Sequence, residues 1–296
     1  MQADLFIQSD NVLGEGPVWD ANQHSLLWVD IEGKLLCFCD LNTGDVAQIE
    51  MDSRIGAAVP VEGGEAYLVA LQSGLKFYKP KTGAYQLISD PEKHLVSNRF
   101  NDGKCDPTGR FWVGTMDLTA KQSKGSLYCL DADLNVAKKL DDLSIPNGMA
   151  WSLDHRKMYF IDSATYQVVC FDYDAETGKN KNSHIVIQVP ESHGIPDGMC
   201  IDSEDMLWIA HWGGGNVSRW NPFTGELLQK VDVPAPHVTS CCFGGKRLDI
   251  LFITTAKYGL SEEQLEQFPL SGSVFHIKPG VKGCVSPYFK LNKNRK

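Results

Sequence analysis

The run Asn147-Gly148-Met149-Ala150-Trp151, followed roughly ten residues later by Tyr159-Phe160-Ile161, decides the fold. A small residue leads into one apolar strand, and a second apolar strand follows. The pair returns as Asp197-Gly198-Met199-Cys200-Ile201 with Leu207-Trp208-Ile209, and as Asp102-Gly103-Lys104-Cys105-Asp106 with Phe111-Trp112-Val113. Upstream it reads Glu15-Gly16-Pro17-Val18-Trp19 with Leu27-Trp28-Val29, then Ile55-Gly56-Ala57-Ala58-Val59 with Tyr67-Leu68-Val69. Thr239-Ser240-Cys241-Cys242-Phe243 with Leu251-Phe252-Ile253 is the sixth copy. A period of about 40 to 50 residues built only from short strands predicts an all-β chain, a six-bladed β-propeller with four antiparallel strands per blade. The repeat continues without a Pro/Ser-rich linker, so residues 1–296 are expected to form a single domain.

Outside the strands the punctuation is also periodic. Asp40-Leu41-Asn42-Thr43-Gly44, Lys79-Pro80-Lys81-Thr82-Gly83, Asp174-Ala175-Glu176-Thr177-Gly178 and Asn221-Pro222-Phe223-Thr224-Gly225 each predict a tight hairpin turn ending on a glycine with φ > 0. The acids around Asp174 imitate an EF-hand loop, but Gly is missing at its sixth position and Glu at its twelfth, so the stretch is a turn. The last blade includes Val274-Phe275-His276-Ile277 and is expected to borrow its outer strand from Asp4–Gln8, which leaves no open edge. Ser261-Glu262-Glu263-Gln264 carries a capping box and predicts a short helix. The basic, polar tail from Lys290 onward is expected to fray.

Composition narrows the function. With 28 basic and 37 acidic residues the formal net charge is −9, which disfavours nucleic acid and anionic membrane surfaces as partners. The first residues have no basic leader and no long apolar core, and no run approaches a membrane span; a cytoplasmic protein is expected. The nine cysteines form no C-x-x-C pair, and most lie within apolar strands, where buried reduced thiols are expected. A monomer or weak homo-oligomer is expected.

Equivalent positions in successive blades face one axis, so residues at the position before the inner-strand glycine should meet. Glu15, Asn147 and Asp197 stand there, with Asp102 in a fourth blade and Ile55 and Thr239 in the others. Asn-Gly and Asp-Gly are ordinary turn formers when taken singly. Their shared register across blades is what points to a site. Carboxylate and amide oxygens are hard donors for one divalent cation, Ca²⁺, Mg²⁺ or Mn²⁺, with Zn²⁺ possible through the two carboxylates. Three protein ligands leave positions for water and substrate. Asp197 would also accept the proton of an attacking water. Arg99 and Asn101 enter the same channel with donors and acceptors suited to a polyhydroxylated carbonyl compound. Asp102 either buttresses the turn or supports a ligand from behind. His211 and Trp212 could line the mouth; His193, His237 and Met116 carry no separate signal.

Arg99-Phe100-Asn101-Asp102-Gly103-Lys104, Gly14-Glu15-Gly16-Pro17, Asn147-Gly148, Ile195-Pro196-Asp197-Gly198-Met199 and Ser240-Cys241-Cys242-Phe243-Gly244-Gly245 together resemble the regucalcin family, which includes gluconolactonases and a luciferin-regenerating branch. The resemblance runs essentially end to end. It implies a six-bladed fold and hydrolysis of sugar lactones such as gluconolactone to aldonic acids with a divalent cation. It implies Glu15, Asn147 and Asp197 as metal ligands, Asp197 as catalytic base, and Arg99 and Asn101 as substrate contacts. Where animal members carry a sugar-binding acid, this chain places Thr119, which is expected as a third substrate contact, with Asp117 able to substitute from a neighbouring position. The expected partner is therefore a small sugar lactone. A non-enzymatic calcium-binding protein and an organophosphate or ester hydrolase are the alternatives.

Overall fold

The computed structural model describes residues 1–64 and 66–292. The chain is all-β, and its strands form four-stranded antiparallel units, as expected. The innermost strands are Gly14–Asp20, Ile55–Pro60, Asn98–Cys105, Pro146–Trp151, Ile195–Ile201 and His237–Gly244. Each packs against the next, and the last packs back against the first, so they close a ring. Val274–Ile277 pairs with Asp4–Ile7, which supplies the outer strand of the last unit and ties the chain's beginning to its end.

The sheets differ from the expectation at one place. Four units are separate sheets, but the fifth and sixth join into one eight-stranded sheet through the pair Trp212↔His237. The cause is aromatic. Leu207–Trp212 runs one residue past His211, and the Trp212 indole stacks on the His237 ring with centroids 3.9 Å apart.

Burial falls from the axis outward. Gly14–Asp20 and Ser25–Asp30 are buried along their whole length, whereas Val46–Glu50 is largely exposed. This explains why the inner strands read as continuous apolar runs and the outer ones as polar. Trp28, Trp112 and Trp208, at one register of the second strands, are fully buried between units. A buried indole needs an acceptor. Trp112 Nε1 donates to Asp106 at 3.2 Å and Trp208 Nε1 to Asp202 at 2.9 Å, each acid lying just past the end of its inner strand.

The glycine register has a steric cause. A β-carbon on Gly198 would lie 2.1 Å from Ser240 Oγ and 2.8 Å from the Ser240 Cα on the neighbouring inner strand. A β-carbon on Gly148 would lie 2.8 Å from the Asp197 carbonyl oxygen. Only glycine allows inner strands to approach this closely. Gly198→Ala should therefore lower stability by about 1–3 kcal/mol, read as a shifted urea midpoint. An unchanged midpoint would mean that the inner strands are not held this tightly.

The four predicted turns form, with Gly44, Gly83, Gly178 and Gly225 at positive φ and their amides bonded back four residues. The helix is Glu262–Gln267, capped by Ser261 with the reciprocal Gln264 bond. All nine cysteines are unbridged, and eight are buried. The tail is docked at its start rather than frayed: Lys290 N–H donates to the Gly109 carbonyl and Asn292 N–H to that of Ala132. Residues 293–296 of that tail lie outside the described residues. Among the described residues, no helix is long and apolar enough to cross a membrane.

Candidate functional site

Every inner strand carries a register irregularity at the same level. It falls between Glu15 and Val18, Ile55 and Ala57, Phe100 and Gly103, Pro146 and Met149, Pro196 and Met199, and Val238 and Ser240. A bulge breaks the strict in-out alternation of a strand and re-aims side chains. Asn147-Gly148 and Asp197-Gly198 are thus parts of bulged strands, not turns. In the third unit the bulge lets Asn101 and Asp102, adjacent in sequence, both face the buried polar cluster.

Glu15, Arg99, Asn101, Asp102, Asn147 and Asp197 are all buried. Their hydrogen bonds are mostly local. Gly16 N–H donates to Glu15 Oε2 at 2.8 Å, and Gly103 N–H to Asp102 Oδ1 at 2.8 Å. Asn147 Nδ2 donates to Ser163 Oγ at 2.9 Å, and that hydroxyl donates to the Pro196 carbonyl at 2.7 Å. Asn147 is thereby tied to the strand that carries Asp197, with its amide oxygen left over. Arg99 donates to Asn101 Oδ1 at 2.7 Å and to the Phe100 carbonyl, while Asn101 Nδ2 donates to the Pro146 carbonyl at 2.9 Å.

Three acids feel one another. Burial pushes the Glu15 carboxyl up to about 8, and the Asp102 charge adds to the rise; Arg99 and Lys104 oppose it. Asp197 is raised well above the usual carboxylate range by burial first, then by Glu15 and Asp102. Burial also raises Asp102, against the pull of Lys104. Burial lowers Arg99, partly offset by Glu32 and Glu15. Two acceptors have no partner: Asn147 Oδ1 and Asp102 Oδ2 are buried without a hydrogen bond. Buried unpaired acceptors beside mutually repelling carboxylates are costly unless a cation meets them. The donor set of two carboxylates and an amide oxygen, with the Asp102 charge felt by both carboxylates, fits a hard divalent ion. Among the described residues no group of three or more His, Cys, Asp or Glu is placed to hold a metal, so the amide of Asn147 is essential to any such set.

The other sequence candidates separate. Thr119 is exposed, and its hydroxyl donates to Oδ1 of the buried Asp117. The two act as one unit at the end of Phe111–Asp117, whose Asp117 pairs with Asn98 beside Arg99. His211 is fully buried, bonded to Ser218 Oγ at 2.5 Å and lowered to about 3 by burial, so it is a neutral packing group. Trp212 belongs to the stack on His237.

Two residues escaped the sequence reading. Lys104 donates to the Met199 carbonyl at 2.5 Å and acts on both Glu15 and Asp102. Its place two residues after Asp102 on one strand was the available signal. Ser163 had none, being a lone serine in a short 3₁₀ turn, Ser163–Thr165.

Residues 13–257 match the family model described as the SMP-30/Gluconolactonase/LRE-like region. The chain belongs to that family. It is 41% identical to a regucalcin of Gallus gallus over 282 residues, covering 93% of this chain and 94% of the relative. Its fold is similar to that of a luciferin-regenerating enzyme, with a TM-score of 0.90, 34% identity, and coverage of 95% of this chain and 96% of that one. A regucalcin from Agrobacterium tumefaciens, described as a calcium-binding protein, is similar at a TM-score of 0.93 and 28% identity, covering 98% of each chain.

Proposed function

We propose that the chain is a six-bladed propeller that hydrolyses sugar lactones of the aldono class, with one divalent cation held by Glu15, Asn147 and Asp197. The observation that carries this is the buried Asn147 Oδ1, without a partner, in the same cluster as the repelling carboxylates Glu15 and Asp197. Membership of a family that includes gluconolactonases supports the substrate class.

When bound, the cation supplies positive charge at the lactone carbonyl and makes nearby water more acidic. Asp197 accepts the proton of the attacking water, a role suited to a carboxylate whose proton affinity is raised by burial and by its acidic neighbours. The water oxygen adds to the carbonyl carbon, and the ring C–O bond then breaks. The leaving ring oxygen takes back that proton and becomes a hydroxyl, giving the aldonic acid. Arg99 is pre-set by its bond to Asn101, and its remaining N–H donors address the lactone and its hydroxyls. Asp117, held by Thr119, offers a carboxylate to a sugar hydroxyl.

Proton-release assays over a series of aldono-lactones test the substrate class. Arg99→Lys should cut turnover about 10–100-fold while cation affinity stays within a few-fold, because charge is kept and the planar fork is lost. Unchanged kinetics would remove Arg99 from the site, and hydrolysis of none of the lactones would sink the enzyme reading. The latter outcome would favour a calcium-binding protein without catalysis, the property in the description of the Agrobacterium relative.

A further inference from the structure

The acid cluster occupies one end of the inner strands. Their other ends surround a cavity of 390 Å³, closed on one side by the segment 284–290. That segment is anchored: the Tyr288 hydroxyl donates to Asp20 at 2.7 Å, and Phe289 and Lys290 bond to the backbone of Pro60 and Gly109. The walls are apolar, with Val18, Val59, Met149, Ile201, Phe243 and Val285 among them. The volume lies at the small end of the range for ligand pockets.

The charges around this cavity are one-sided. Lys104, His155 and Lys290 line it, and among the described residues no Asp or Glu does, in a chain of net charge −9. Lys104 is half-buried on the wall, and its only hydrogen-bond partner among the described residues is the neutral Met199 carbonyl. Further up the channel, on the other side of Lys104, stand Asp102 and Glu15, which belong to the cation cluster. An ammonium with donors to spare, at the inner end of an apolar chamber, suits a molecule with an apolar body and one anionic head.

We propose that this end of the ring is a second binding site, for a small amphipathic carboxylate whose head meets Lys104 and whose body lies against Met149, Ile201 and Phe243. A sugar lactone or its aldonic acid carries hydroxyls along its body that Met149, Ile201 and Phe243 would leave unpaired, so the ligand is of a different class from the proposed substrate. The second site stands whether or not the chain opens lactones.

Calorimetric titration of the full chain with decanoate and with decan-1-ol tests it. Decanoate should bind saturably, one per chain. Lys104→Met should weaken decanoate about tenfold or more and leave decan-1-ol unchanged, since a charge-assisted hydrogen bond is lost and apolar wall is kept. Ile201→Trp, at the half-buried rim, should block both ligands. If Lys104→Met does not fold, Lys104→Gln gives the same contrast. No saturable decanoate binding to the native chain would overturn the proposal. So would decanoate binding that survives either substitution, or an equal loss of decan-1-ol in Lys104→Met.

Discussion

Asp197→Asn should lower turnover on the best lactone by about 10²–10⁴-fold, the usual contribution of a positioned general base. The substitution keeps an oxygen at the same place and removes the proton acceptor. Asp197→Ala, which removes both, should be at least as slow and should also weaken cation binding. Asn147→Ala should cost less turnover than either, because it deletes an oxygen donor without touching the base. All three should fold, since each residue is polar and stands outside the apolar clusters between units. The metal-free Asp197→Asn protein should even be more stable than the native chain near neutral pH, since it no longer buries a carboxyl whose ionised form is disfavoured by burial first and then by Glu15 and Asp102. Near-normal turnover in Asp197→Asn would place the base elsewhere and leave Asp197 as a ligand at most.

The fold was legible because its most demanding contacts fall at one register. Gly148 and Gly198 recur where neighbouring inner strands leave no space for a β-carbon, so sterics wrote the repeat into the sequence. The acid and amide positions were legible for the same reason, since they precede those glycines. What the repeat could not reveal lies off its register. Ser163 links Asn147 to the neighbouring strand from the short turn Ser163–Thr165, which carries no residue of the repeat. The join of the fifth and sixth units depends on Trp212 meeting His237, a stack between residues 25 positions apart with no periodic counterpart. The cavity at the far end is closed by the segment 284–290, which lies outside the repeat. Thr119 was singled out by resemblance, but the buried carboxylate beside it is Asp117, and the hydroxyl serves that acid.

Removal of the cation should abolish lactone hydrolysis without unfolding the chain. The ring is closed by six packed inner strands and apolar clusters between units, so the fold does not wait for a metal as a zinc finger does. Glu15, pushed up to about 8 in the metal-free chain, should be largely protonated at neutral pH, and cation uptake should therefore release protons and tighten as pH rises. The most direct measurement is made on one exhaustively chelated sample, by recording its far-ultraviolet circular dichroism and its rate on the best aldono-lactone, before and after addition of a divalent cation. The β spectrum should stay unchanged throughout, the rate should fall to the uncatalysed background without the cation, and one ion per chain should restore it. Full hydrolysis by the verified metal-free protein would rule out a cation at Glu15, Asn147 and Asp197 as part of the reaction.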